Sequence, residues 1–426
     1  MKREAYFYQM NKNSLFKYSF FTLAWAAMGL QGCSSPSTAT SELPEGAWRG
    51  ILQVSNQPMP FNFTVSTQEG KKVAYLLNAD EKILIDEISF SQDSVRLQMH
   101  IFDAALIAKV DGDKLNGRWE RKDQAVPYSL PFTAEKGKTA RFSENPAKPA
   151  LDVSGKWEVL FTQEDGKTYP AIGEFQQQGN ALTGTFLTAT GDYRYLQGQV
   201  DGDQLKLSAF DGAHAYLFTA QPQPDGSLKG DFYAGQSSHE TWTAKRNDNF
   251  QLASADTLTY LKPGYERLDF SFPDLNGKKV SLNDPQFKGK VVIAQIFGSW
   301  CPNCMDETQF LAPWYAKNKN RGVEVVGLGY EVSPDFEKAK ARVEKMRDRL
   351  NVTYPLLIGG TKDKELVAKS LPALNHVLSF PTTIFIDKQG KVRKIHTGFS
   401  GPGTGKYYDA FVQDFNKTVD ELLAEK

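Results

Sequence analysis

The chain has 426 residues, with 50 basic and 50 acidic side chains and no formal net charge. That balance leaves no electrostatic footprint for nucleic acid or an anionic membrane surface. An apolar share of 40% with 23% charged residues excludes wholesale disorder, and the length accommodates about two to four domains. The 28 Phe and 17 Tyr lean towards β-structure. Three cysteines, Cys33, Cys301 and Cys304, are too few for a disulfide-stapled scaffold or a four-thiolate zinc site. Five histidines without H-x3-H or H-E-x-x-H spacing give no metal cluster, so neither metal nor cofactor is expected.

The chain opens with Lys2, Arg3, Lys12 and Lys17, then an apolar run from Tyr18 to Leu30. That run is short for a membrane span, which takes about 20 residues, and fits a signal h-region. Leu30-Gln-Gly-Cys33 at its end resembles a lipobox, which implies cleavage before Cys33 and lipidation of it. The alternative is an ordinary cleaved signal with an incidental cysteine. The reading gives a signal peptide at 1–32 and a small polar lipidated tether at 33–45. Ser34 in place of Asp, with no acidic run after it, favours the periplasmic face of the outer membrane over the inner.

Residues 46–247 read as a duplicated all-β region, with copies at 46–140 and 150–247. Gly46-Ala-Trp48 answers Gly155-Lys-Trp157, Phe102-Asp103 answers Phe210-Asp211, Leu115-Asn-Gly117 answers Leu228-Lys-Gly230, and Phe132-Thr-Ala134 answers Trp242-Thr-Ala244. Alternating runs such as Phe61–Val65 and Val95–Ile101 mark strands, and Asp-Gly pairs at 111, 165, 211 and 225 mark turns. About eight strands per copy predict a barrel or curled meander. Such a barrel is either filled or holds an apolar ligand; the plain expectation is a spacer or docking platform. His100 falls on a polar strand face and is expected to be solvated.

From residue 264 the pattern changes. Val291–Phe297 and Val323–Leu328 are nearly continuous apolar runs, as buried parallel strands require. Helices are predicted at Met305–Lys319, Pro334–Leu350 and Tyr407–Ala424, and further strands at Pro355–Ile358, Thr382–Ile386 and Val392–His396. Alternating strands and helices imply an α/β layer domain at 264–426. Cys301-Pro-Asn-Cys304 follows the first strand and opens a helix. A cysteine at a helix N-terminus sits where unpaired N–H groups stabilise an anion, so its thiolate is the nucleophile. Cys304 lies one turn on and can close a disulfide, and Pro302 suits the first helical turn. A zinc half-site is the competing reading, but the mature chain lacks further thiols.

Phe270-Ser-Phe-Pro-Asp-Leu-Asn-Gly277, Lys288-Gly-Lys-Val-Val292, Trp300-Cys-Pro-Asn-Cys304 and Phe380-Pro-Thr-Thr-Ile-Phe-Ile-Asp387 occur in order. Residues 264–426 thereby resemble the TlpA/ResA-like branch of the thioredoxin superfamily. The resemblance implies a protein thiol-disulfide oxidoreductase without a cofactor, with Cys301 attacking, Cys304 resolving and Pro381 following a cis peptide. It implies a substrate groove flanked by Trp300, Pro302, Phe380 and Thr382. It also implies a helix carboxyl, Glu307, able to exchange protons with Cys304. Partners implied are protein thiols or disulfides and a membrane thiol-reductant donor. The Pro-Asn dipeptide departs from the reducing members' pattern and leaves the direction of electron flow open, although a reductase is favoured. The stretch Leu366–Ser379 before the cis-proline strand is longer than the pattern.

Two readings compete. A thiol peroxidase needs a Thr three residues before its cysteine, where this chain has Gly298. A ligand- or partner-binding lipoprotein would make the redox domain auxiliary. Gly403-Thr-Gly-Lys406 lacks the residues of a phosphate loop, and the basic run Lys338–Arg349, interrupted by Glu344 and Asp348, reads as a solvated helix face.

Overall fold

The computed structural model describes residues 42–123 and 126–426, which form one compact unit; the expected signal segment and Cys33 lie outside them. The chain builds two β-barrels followed by an α/β domain. In the first barrel nine antiparallel strands follow one another from Gly46–Val54 to Tyr128–Lys136. The first strand pairs with the last, Leu52 opposite Phe132, and the ring stays open only between Glu81–Ile85 and Glu87–Ser91. The second barrel runs from Gly155–Thr162 to Ser238–Arg246. It closes fully, because Thr168–Gln178 also pairs with Ala181–Thr188. Period-two alternation explains both. On Gly46–Val54 it sends Trp48, Leu52 and Val54 inward. The interiors are filled by aromatic side chains: Trp48, Phe61, Phe63 and Trp119 in one barrel, Phe161, Phe186, Phe218 and Trp242 in the other, all fully buried.

The copies share more than strand order. Trp48 donates its indole N–H to the Pro44 carbonyl (3.1 Å), and Trp157 donates to Val153 (2.9 Å), each four residues upstream. Gly117 and Gly230 both lie where a neighbouring strand crosses closely. A Cβ on Gly117 would sit 1.9 Å from the Ile107 carbonyl oxygen, and one on Gly230 2.0 Å from that of Thr219. Buried Arg141, in the connection between the copies, straps them together. It donates to the Leu77 carbonyl and Asn78 on one side and to Gln197 and Ser208 on the other, at 2.7–3.0 Å. With only neutral acceptors around it, burial pushes its pKa down to about 9.

After an entry hairpin, Ser271–Pro273 with Lys279–Ser281, the last domain is a five-stranded sheet. Its order is Leu356–Thr361, Val323–Glu331, Val291–Phe297, Thr382–Ile386, Val392–Thr397. The first three strands are parallel and the last two antiparallel to their neighbours. Val291–Phe297 and Val323–Glu331 are buried at every residue, as central strands covered on both faces must be. Helices α1 (Pro302–Asn318), α2 (Phe336–Arg349), α3 (Lys364–Ser370) and α4 (Lys406–Ala424) complete it. Asp335 caps α2 and Asp363 caps α3. Part of the long stretch before the cis-proline strand is thus helix α3.

Two surface expectations need correction. The basic face of α2 is not simply solvated: Arg349 pairs with Asp86 (2.6 Å) and Glu87, and Arg342 with Asp103 (3.1 Å), all on the first barrel. His100 is half-buried beyond the end of its strand, 3.1 Å from Asp86. Periodicity shows which face of an element is polar, but not that a second domain will cover it.

The shared close approach predicts matched behaviour of the copies. Gly117→Ala and Gly230→Ala should each lower stability by about 2 kcal/mol or more, because a backbone carbonyl must move. Denaturation midpoints check this; a neutral Ala at either site contradicts the geometry.

Candidate active site

The fully buried central strand Val291–Phe297 delivers Gly298-Ser-Trp300 at its C-terminal end, and Cys301 caps helix α1. The cap is the sulfur itself. Cys301 holds extended backbone angles, and its Sγ accepts the Cys304 N–H at 3.2 Å. Pro302 fills the first helical position. Cys301 and Cys304 are disulfide-bonded, with Cα atoms 5.2 Å apart. Cys301 is 6% exposed and Cys304 0%, so the outer sulfur is the one a partner can reach.

Opposite lies Pro381, after a cis Phe380–Pro381 bond. The Phe380 carbonyl oxygen is 3.5 Å from the Cys301 Sγ. Trp300 donates its indole N–H to the Tyr330 carbonyl (2.9 Å) and meets the Phe380 ring edge-on at 5.4 Å. The Lys362 ammonium lies over the Trp300 ring at 4.9 Å. Trp300, Pro302 and Phe380 line one cavity with Cys301. Thr382 does not: it is fully buried and turns its hydroxyl back to the Ser379 carbonyl (2.8 Å). In an alternating strand the residue after the cis-proline points into the sheet's packing, so the groove wall stops at Phe380.

Glu307 is buried completely, not partly as a helix-surface position suggests. Its carboxylate accepts from Gln295 Nε2 (2.8 Å) and the Thr383 hydroxyl (2.6 Å). Burial raises its pKa to about 7 despite those two donors. Thr308 beside it donates to the Cys304 carbonyl (2.7 Å). A second buried carboxylate, Glu331, accepts the backbone N–H (2.8 Å) and hydroxyl (2.7 Å) of Ser299, and fixes the turn before the cysteines.

Sequence reasoning missed the groups the second barrel contributes. Between Ala181–Thr188 and Leu196–Asp201 the chain makes a rim loop that docks on the cysteine turn. Thr190 accepts from the Ser379 hydroxyl (2.8 Å), and Asp192 accepts from Gly401 N (2.7 Å). Arg194 reaches the Pro302 carbonyl (3.4 Å) and pairs with Asp306 of α1 and with Glu81 of the first barrel. Burial raises Asp306 to about 7 against the pull of Arg194. Gln295, a lone amide in an apolar run, was the legible signal for a buried polar partner. No local signal marks Arg194.

A family model described as the AhpC/TSA family matches residues 263–395. The thiol-disulfide oxidoreductase ResA of Geobacillus thermodenitrificans is 34% identical over 130 residues, covering 30% of this chain and 66% of that protein. The chain therefore spans slightly less than two thirds of that relative. The thioredoxin-like protein YneN of Bacillus subtilis is 30% identical over 138 residues, 32% of this chain and 73% of its own. ResA of Bacillus subtilis is 30% identical over 138 residues, 32% and 69% respectively.

The Glu307 carboxyl sets a pH-dependent stability. Its folded pKa is raised above its usual 4.5 to about 7. Its contribution is thus full below about pH 4.5 and lost as pH rises through about 7, a swing on the order of 3 kcal/mol. Glu307→Gln should be more stable than the parent at pH 8.5 and level with it near pH 5. Asp306 titrates in the same window in both proteins and cancels in the difference. Denaturant midpoints at the two pH values check this; an equal offset at both would contradict it.

Proposed function

From a chain that belongs to the thioredoxin-like thiol-disulfide oxidoreductase family of ResA and YneN, we propose an extracytoplasmic enzyme that reduces protein disulfides through Cys301 and Cys304. The observation that carries this is the disulfide at the start of α1, facing the cis Phe380–Pro381 bond with the carbonyl 3.5 Å from Sγ. In the reduced form the Cys301 thiolate, favoured by the helix N-terminus, attacks one sulfur of a substrate disulfide. A mixed disulfide forms and the first substrate thiolate leaves, taking a proton. Cys304 then gives up its proton and attacks the Cys301 sulfur, which releases the second substrate thiol and leaves the Cys301–Cys304 disulfide. Two electrons pass to substrate, and an outside dithiol must return them; a membrane thiol donor suits that role. Glu307, a buried carboxyl titrating near neutrality one turn beyond Cys304, is assigned the proton of Cys304.

We assign Cys33 as a lipidated anchor on the periplasmic side, at the outer membrane, on the strength of the h-region and Leu30-Gln-Gly-Cys33. Among the described residues no helix is long and apolar enough to cross a membrane. A thiol-peroxidase reading fits less well. A Cβ at Gly298 would lie 2.2 Å from Trp300 Nε1, so the threonine that chemistry uses would have to displace the indole seen here.

Cys304→Ser should trap substrates on Cys301, because resolution needs a second thiol in reach. In its native envelope the variant should run as higher-mass species on non-reducing gels, absent after reductant and absent in Cys301→Ser with Cys304→Ser. Adducts on Cys301→Ser alone would reverse the two roles, and none on either would end the exchange reading.

A further inference from the structure

The groove beside Cys301 has two walls, and only one belongs to the α/β domain. A cavity of about 540 Å³ opens onto Cys301. Its far wall comes from the second barrel: Tyr169, Tyr193, His214, Tyr216 and Glu240. That wall is fixed in place. Gly191 has φ +151°, and a Cβ there would fall 2.4 Å from the Asn303 amide nitrogen, so the rim loop lies directly against the cysteine turn. Asn303 also donates to the Asp192 carbonyl (3.5 Å). Two walls meeting beside a sulfur that is 6% exposed admit an extended segment better than a folded surface.

The wall has a definite chemistry. Tyr169 donates to Glu240 (2.6 Å) and lies 2.9 Å from the Tyr193 hydroxyl. Tyr193 and Tyr216 pack edge to face at 5.3 Å. The Asp192 carboxylate is already taken, by the Gly401 and Arg194 N–H groups. No lysine or arginine lines the barrel wall, and the nearby Lys362 ammonium lies over Trp300 on the other wall. Aromatic faces beside a carboxylate attract a cation.

We propose that the second barrel supplies half of the substrate site: Tyr169, Tyr193, Tyr216 and Glu240 receive a lysine or arginine side chain of an extended, cysteine-bearing polypeptide whose sulfur is joined to Cys301. This rests on the thiol-disulfide reading above. In the test reaction the Cys301 thiolate attacks the peptide sulfur of a peptide–glutathione mixed disulfide. The Cys301–peptide bond forms and glutathione leaves as the thiol; Cys304 then releases the peptide.

The experiment uses the reduced mature chain and three such peptides that differ only in one residue near the cysteine: Arg, Leu or Glu. With the reduced chain in excess over peptide, the single-turnover second-order rate constant should favour Arg over Glu by about tenfold, with Leu between. Glu240→Gln should bring the Arg-to-Leu ratio to about one. Equal rates for the three wild-type reactions, or Leu ahead of Arg, would overturn the subsite while leaving disulfide exchange intact. Reduction of none of the three would remove the exchange reading with it. The wild-type ranking decides the matter even where Glu240→Gln does not fold.

Discussion

One guanidinium holds the architecture together. Arg194 sits on the rim of the second barrel, pairs with Glu81 of the first, lies 3.6 Å from Asp211 of its own, and pairs with Asp306 on the helix that carries the cysteines. A buried charge is tolerated only when its partners are in place, so each of these contacts requires the others. The backbone bears this out. Arg194 has φ +58°, a left-handed conformation that costs a non-glycine residue about 1 kcal/mol or more and persists only where the surroundings over-determine it. Loss of the guanidinium would leave Glu81 and Asp306 crowded beside Asp211, which keeps a partner in His214, each paying its own burial cost.

The consequences run outward from that cluster to the chemistry. Docking the rim loop at Pro302 places protein on the side of the cysteine turn that would otherwise face solvent. On the opposite flank, Arg342 and Arg349 of α2 clamp the first barrel. The α/β domain is therefore held at two places, and the β-region is part of the site and not merely a stalk below it. Asp306 and Glu307 are neighbours on α1, yet their burial differs in kind. Asp306 faces the barrels and answers to Arg194, whereas Glu307 faces the sheet and answers to Gln295 and Thr383. Both are pushed to about 7 by desolvation. Around neutrality the helix thus carries two adjustable charges, one on the docking side and one beneath the cysteines.

What the sequence disclosed divides along the same line. Features fixed by local order were legible: the apolar strands, the Cys-Pro-Asn-Cys turn, the Phe380-Pro381 strand and the recurrence of Gly-x-Trp. Helix α1 begins at Pro302, three residues before the first helix-like apolar residue, because the cysteine cap and the proline set its start and periodicity does not. Glu307 was recognisable as a candidate, but its complete burial depends on Gln295 and Thr383, 12 and 76 residues away. Arg194 and Asp306 are 112 residues apart, and no periodicity couples them. The basic run on α2 looked solvated for the same reason. Patterns in one segment report the segment's own faces; they carry no record of which distant surface will cover them.

The duplication explains how such a site can arise. In each barrel the third strand turns sharply into the fourth: Lys71–Asn78 into Glu81–Ile85 in the first, Ala181–Thr188 into the two-residue strand Gly191–Asp192 in the second. The two turns are equivalent positions of one repeat, and they converge, since Glu81 follows one and Arg194 the other. In the first copy the fourth strand runs its full course and the turn ends as a plain anchor. In the second the strand is cut short; the freed chain after it, Tyr193 to Tyr195, carries Arg194 to Pro302, and Thr190 in the turn before it meets Ser379. Both interiors stayed filled, so the core was not what diverged. A shortened edge strand releases backbone from its ladder, and that backbone must find new partners. Here it finds them on the cysteine turn and the loops beside it: the Asp192 carbonyl accepts from Asn303, its carboxylate from Gly401 N, and the Thr190 carbonyl from the Ser379 hydroxyl.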